Sequence, residues 1–214
     1  MDTSRRAFLA SATAATAGLA GCVGGIAGGS GGGCGGGSEP KVDSLPNPKL
    51  GDADAPVLLE TYEDFSCPHC ATFSQQVAPK IVSNFVEPGD VRWAFNDFPI
   101  PVSQKWSWAA ASAARGVQDE ADDATFFEYV KKLFENQQQY SMDLVQSLAD
   151  EVGVDGCAIG TDATNETYRP VVEADRQEGI DRGVDSTPFV FVNRQPVASP
   201  AYRDVEAAIR SHLG

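Results

Sequence analysis

Val57-Leu58-Leu59-Glu60-Thr61-Tyr62 is a short apolar run bounded by Pro56 and the acidic pair Glu63-Asp64, which predicts a largely buried strand. From Pro68 the apolar positions Phe73, Val77, Ile81 and Phe85 recur every four residues, the stripe of a helix packed on a sheet. Pro79 lies inside that stripe and has no N–H for the carbonyl of Gln75, so a kinked helix is expected. Val91-Arg92-Trp93-Ala94-Phe95 reads as the next strand, and the intervening helix makes the pair parallel, a βαβ unit.

Residues 105 to 182 carry helical patterns and no evident strand. Apolar sets fall at Trp106, Ala109, Ala113 and Val117, at Phe126, Val130 and Leu133, and at Leu144, Leu148 and Val152. Phe189-Val190-Phe191-Val192 and Pro196-Val197, separated by Asn193-Arg194-Gln195, predict an antiparallel hairpin. Ser199 and Pro200 mark a helix start, with Tyr202, Val205, Ala208 and Ile209 facing inward. The order is βαβ, a helical block, then ββα, and the fold class is α/β.

Ahead of this lie segments that build no core. Ser4-Arg5-Arg6-Ala7-Phe8-Leu9 and the Ala-rich stretch to Ala20 have the layout of an export signal, and Arg5-Arg6 resembles a twin-arginine signal. The stretch is too short for a membrane span, which needs roughly 20 apolar residues. Leu19-Ala20-Gly21-Cys22 resembles a lipobox, so residues 1–21 are expected to be removed and Cys22 to carry lipid on the outer face of the cytoplasmic membrane. Residues 22–44, nearly all glycine from Gly24 to Ser38, read as a flexible tether, and Cys34 within it as inert. Pro40 to Pro56, rich in Pro, Asp and Gly, should wrap the surface.

The 214 residues suffice for one domain with a real core beyond these segments. Sixteen basic against 30 acidic residues give a formal charge of −14, which repels nucleic acid and anionic lipid and suits a solvated, halophile-like surface.

Chemistry concentrates in Cys67-Pro68-His69-Cys70. Pro68 at the first helical position makes Cys67 the N-cap, beside unpaired N–H groups and the positive end of the helix dipole, where a thiolate is stabilised. Cys70 follows one turn on, close enough for a reversible disulfide. His69 adds a donor or a positive charge that favours the reduced dithiol, and a stabilised dithiol makes its disulfide an oxidant. A structural zinc site lacks a second ligand pair among Cys34, Cys157 and His212, so no metal is expected; a purely structural disulfide would gain little from so small a loop. Cys157 reads as a small apolar residue, and Trp106 and Trp108 as packing.

These residues resemble the DsbA-like branch of the thioredoxin superfamily over roughly residues 45 to 214. Tyr62-Glu63-Asp64-Phe65-Ser66-Cys67-Pro68-His69-Cys70 is similar to its active-site strand and helix start, and Asn96-Asp97-Phe98-Pro99 to the end of its next strand. Gly183-Val184-Asp185-Ser186-Thr187-Pro188-Phe189 resembles its cis-proline loop. The resemblance implies a thioredoxin-like fold with an inserted helical domain at about 103–182. It also implies a Thr187-Pro188 loop that faces Cys67 and receives substrate, with Thr187 tuning the sulfur. Many relatives carry a buried acid six residues before the first cysteine; that position is Thr61 here, and Glu60 should point to the other face.

The expected function is disulfide exchange with exported proteins through Cys67 and Cys70, without a cofactor, in the oxidising direction and recycled by a membrane redox partner. The alternatives are a membrane-fed reductase or isomerase, and a tethered binding module without turnover.

Overall fold

The computed structural model describes residues 41–100 and 102–214. The expected signal with Arg5 and Arg6, the expected lipidation site Cys22, and Cys34 lie outside the described residues. Of the expected tether, residues 41–44 are described, and Val42 N–H donates to Thr167 O at 2.9 Å. No helix among the described residues is long and apolar enough to cross a membrane.

The apolar run forms β2 (Val57–Glu63), followed by α1 (Pro68–Gln76) and α2 (Ala78–Ile81), with one π-helical turn at Val82–Val86, and then β3 (Val91–Asp97). β2 and β3 pair in parallel with Val57 opposite Val91 and Glu63 opposite Asp97. The helix breaks at Val77, ahead of Pro79, because a proline is accommodated at the start of a helix and not inside one. The segment expected only to wrap the surface also supplies a strand: β1 (Lys49–Leu50) pairs antiparallel with β3.

Five helices follow: α3 (Trp106–Glu120), α4 (Asp123–Glu135), α5 (Met142–Glu151), α6 (Gly156–Asn165) and α7 (Arg169–Asp181), with a 3₁₀ turn at Gln137–Gln139 between α4 and α5. Asp122, Ser141 and Asp155 cap α4, α5 and α6 by accepting backbone N–H groups of the first turn, which fixes where each helix starts. The chain ends in β4 (Phe189–Val192), β5 (Gln195–Pro196) and α8 (Tyr202–Leu213). The hairpin turn is tighter than the expected three residues, since Val192 pairs with Gln195 and only Asn193 and Arg194 turn, both at positive φ. α8 starts at Tyr202 with Ala201 as N-cap, later than Ser199-Pro200 suggested.

The strand order is β1-β3-β2-β4-β5, so β2 is central and the cysteines at its C-terminal end emerge in mid-sheet. One apolar cluster joins β2, β3 and β4 to Phe73, Ile81, Phe85, Val205 and Ile209 of the covering helices. On the opposite face α7 lies over Tyr62 and Phe98; it comes this close because residue 179 is glycine, where a Cβ would meet the Phe98 ring at 2.7 Å. Another cluster fills the helical insertion and contains both Cys67 and Cys70. The dithiol therefore sits at the seam between sheet and insertion.

The seam is also held by charge. Arg115 of α3, fully buried, donates from Nε to Asp97 Oδ2 at the end of β3 (2.7 Å) and from Nη2 to Asp175 Oδ2 of α7. Gln118 Oε1 accepts from its Nη1 at 3.0 Å.

Candidate redox site

Cys67 is the N-cap of α1 in extended conformation, with Pro68 in the first turn. Cys67 and Cys70 are free thiols, 3% and 0% exposed, so the described state is the reduced dithiol. The Cys67 thiol is held down at about 5, chiefly by the hydrogen bond from the Cys70 thiol, with help from Thr187 and from the backbone N–H groups of Cys70 and His69, against burial. The His69 imidazole is exposed, and the contribution of that residue to the sulfur comes through its backbone. Cys70 is pushed well above its usual range by burial, by donating to Cys67 and by the negative charges of Glu63 and Cys67. The two thiols are thus driven apart in acidity, Cys67 to a thiolate at neutral pH and Cys70 to a proton carrier.

The Thr187-Pro188 peptide bond is cis, and the Cys67 thiol donates to Thr187 O at 3.4 Å. Thr187 Oγ1 is buried and makes no other hydrogen bond, which leaves it as the donor for the Cys67 thiolate. Thr187 and Pro188 therefore face Cys67 across the seam.

Thr61 accepts a hydrogen bond from Trp93 Nε1 at 3.0 Å, and Glu60 lies on the other face, paired with Arg182 at 2.7 Å. The acid on the Cys70 side is Glu63, which the sequence reading passed over. Strand alternation puts residue 63 on the same face as residue 61. Glu63 is 2% exposed, its Oε2 has no partner, and burial pushes its carboxyl up to about 8, against a hydrogen bond from Thr61. It lines a cavity of about 460 Å³ bounded by Ser74, Trp93, Phe95, Phe127 and Phe134. A base of that strength, with one oxygen unpartnered and its charge felt by a thiol that must lose its proton, suits proton transfer near neutrality.

Asp64 anchors the loop into Cys67. Its carboxylate accepts from Ser66 N (2.6 Å), Ile100 N (2.7 Å) and Ser107 Oγ (3.0 Å), while its own N–H donates to Cys70 Sγ at 3.4 Å. Burial lifts it to about 6 in spite of those bonds. Trp106 and Trp108 are half-buried, Trp106 packed on Tyr140 and Trp108 under the Arg169 guanidinium. Cys157 is not a lone apolar residue: it is half-buried and disulfide-bonded. Among the described residues no group of three or more His, Cys, Asp or Glu side chains is placed to hold a metal.

A thioredoxin-like α/β fold with a polarised dithiol at a helix N-terminus defines a protein thiol–disulfide oxidoreductase. The chain belongs to the thioredoxin family, whose model matches residues 44–211. It is similar to disulfide bond formation protein D of Bacillus subtilis, 29% identical over 173 residues that cover 78% of this chain and 77% of that protein. Among solved structures, oxidised BdbD from Bacillus subtilis matches with a TM-score of 0.73 and 28% identity, over 82% of this chain and 99% of that one. Chlamydia trachomatis DsbA, at 20% identity and a TM-score of 0.71 over 82% of this chain and 97% of its own, shares the fold.

Cys67 acidity yields a direct prediction. The far-ultraviolet thiolate absorbance of the reduced protein falls with a midpoint near pH 5, and Cys67→Ser abolishes that transition. Because the folded value lies below the usual 9.0, the resulting stabilisation of the reduced form is complete above pH 9.0 and is lost as pH falls towards about 5. Reduced and oxidised proteins melted across this range should therefore differ most at the alkaline end. A midpoint near 9.0 would refute the assignment of Cys67 as the low-pKa thiol.

Proposed function

We propose that this oxidoreductase is an extracytoplasmic oxidase that passes the Cys67–Cys70 disulfide to exported proteins. The observation that carries the reading is the acidity of Cys67: a thiolate held at about 5 stabilises the reduced dithiol and so makes the disulfide a strong acceptor of electrons. The name of the Bacillus subtilis relative points the same way.

In the forward reaction a substrate thiolate attacks Cys67 Sγ in the disulfide. The S–S bond breaks, and Cys70 departs as a thiolate that takes the proton held by Glu63. A second substrate thiolate then attacks the substrate sulfur of the mixed disulfide and releases Cys67, which needs no proton because its thiolate is already the stable form. Thr187 and Pro188 line the approach to Cys67, the position in which the family's loop receives substrate backbone. The dithiol is reoxidised by a membrane redox partner. Export directed by Arg5 and Arg6, followed by cleavage before Cys22, leaves the domain tethered by lipid outside the cytoplasmic membrane, with residues 22–44 as tether and 45–214 as the catalytic domain.

Equilibration with glutathione tests the direction. The oxidase reading requires a reduction potential well above the roughly −270 mV typical of a thioredoxin, and a value near that figure favours a reductase. Cys70→Ala in cells should trap mixed disulfides between Cys67 and exported proteins; trapping none favours a binding module without turnover.

A further inference from the structure

We propose that Gln137 is a positioning residue of the redox site, through which the turn between α4 and α5 sets the acidity of Cys67. The inference rests on the thiol–disulfide exchange reading and adds a part to it: the helical insertion forms one wall of the thiolate site as well as covering it.

The loop entering α1 carries the backbone carbonyls of Phe65 and Cys67, the second on the same residue as the sulfur. Their oxygens carry partial negative charge, which opposes a thiolate in a site that is 3% exposed. Gln137 Nε2 lies 2.9 Å from Phe65 O and 2.9 Å from Cys67 O, so one amide group donates to both. Tyr140 OH, from the same connection, adds a bond to Phe65 O at 3.2 Å. Cys67 O also accepts from Cys70 N and Ala71 N, the bonds that open α1, whereas Phe65 O takes its hydrogen bonds among the described residues from Gln137 and Tyr140 alone.

The segment that bears these donors is fixed from behind. Phe134, the last buried residue of α4, stacks on Phe65 with ring centroids 5.1 Å apart, and Asp64 ties the front of the same loop to Ser107 of α3. Gln137 itself is half-buried and its neighbours Gln138 and Gln139 are exposed, so the amide is spent on the catalytic loop and not on closing its own turn. The amide hydrogens bring positive partial charge to the loop that carries the sulfur and offset the negative partial charge of its two carbonyls. Both effects favour the Cys67 thiolate and therefore the reduced state.

The test is a set of folded, full-length variants read by the Cys67 pKa and by the equilibrium with glutathione. Gln137→Leu keeps the bulk and removes the donor, and is expected to weaken the Cys67 acid by about three- to tenfold and to make the disulfide a weaker oxidant by a similar factor, the range of one to two net hydrogen bonds. Gln137→Lys keeps a donor and should hold the acidity at or above that of the wild type. Tyr140→Phe removes only the bond to Phe65 O and is expected to shift Cys67 in the same direction by less; it serves as the reading if Gln137→Leu does not fold. A lowered melting temperature with unchanged Cys67 pKa and glutathione equilibrium in Gln137→Leu, or in Tyr140→Phe when only that variant folds, overturns the proposal and leaves Gln137 a structural residue. If the wild type itself exchanges no disulfides with glutathione, the proposed function fails first, while the Cys67 pKa comparison still decides the role of Gln137.

Discussion

Glu63→Gln is expected to slow disulfide exchange about a hundredfold while making the protein more stable. The rate falls because a positioned acid or base contributes typically 10²–10⁴-fold, and Glu63 is the buried acid whose charge acts on Cys70. Cys70 is far too weak an acid to shed its proton unaided in the direction that reforms the disulfide, and as a leaving group it must regain one. Glutamine can do neither. The activity profile should also lose the limb that reports a group near 8. Stability moves the other way because a carboxyl raised to about 8 from its usual 4.5 binds more protons folded than unfolded. Folding stability from this group is complete below pH 4.5 and is lost as pH rises towards about 8. A neutral amide removes that loss, so denaturant melts should diverge from the wild type between those pH values, by about 1–3 kcal/mol at the upper end. Unchanged turnover with an unchanged pH profile would remove Glu63 from the mechanism.

Arg115→Met should have the largest effect on the fold, a loss of about 3–5 kcal/mol at neutral pH, because it strands two buried carboxylates that share one guanidinium. Asp97 and Asp175 are already pushed up by burial against the pull of Arg115, Asp175 to about 6. Without the arginine both must rise further. A carboxyl with a raised folded value is least destabilising below its unfolded value, so the deficit should shrink as the pH is lowered towards 4. Chemical denaturation at two pH values checks this; a deficit independent of pH would point to lost packing instead. Since Arg115 joins α3 of the insertion to β3 and α7, the variant should also loosen the seam that holds the dithiol.

How much of this was legible beforehand follows from the range of the interactions. The parallel βαβ unit, the helical block and the final hairpin were readable because each rests on a local periodicity. β1 was not, since two residues in a Pro- and Gly-rich segment become a strand only by pairing with β3. Cys157 read as an apolar filler because a disulfide leaves no mark in the local pattern around either cysteine. Gln137, 70 residues from Cys67, carries no signal of its own in a run of three glutamines. Glu63 did carry one: it stands two residues beyond Thr61 and so shares its face, although it is not the position at which the family carries its acid.

The sequence by itself determined the Cys67 N-cap and the one-turn spacing to Cys70, because capping and helix spacing act within a few residues, while the loop at Thr187-Pro188 was legible only through the resemblance to the DsbA-like branch. Only the tertiary structure decided which acid serves Cys70, why the His69 contribution comes through the backbone, and how the insertion reaches Phe65 and Cys67. Those depend on burial and on groups brought together across the seam, where removal from water shifts a carboxyl to about 8 and a thiol to about 5.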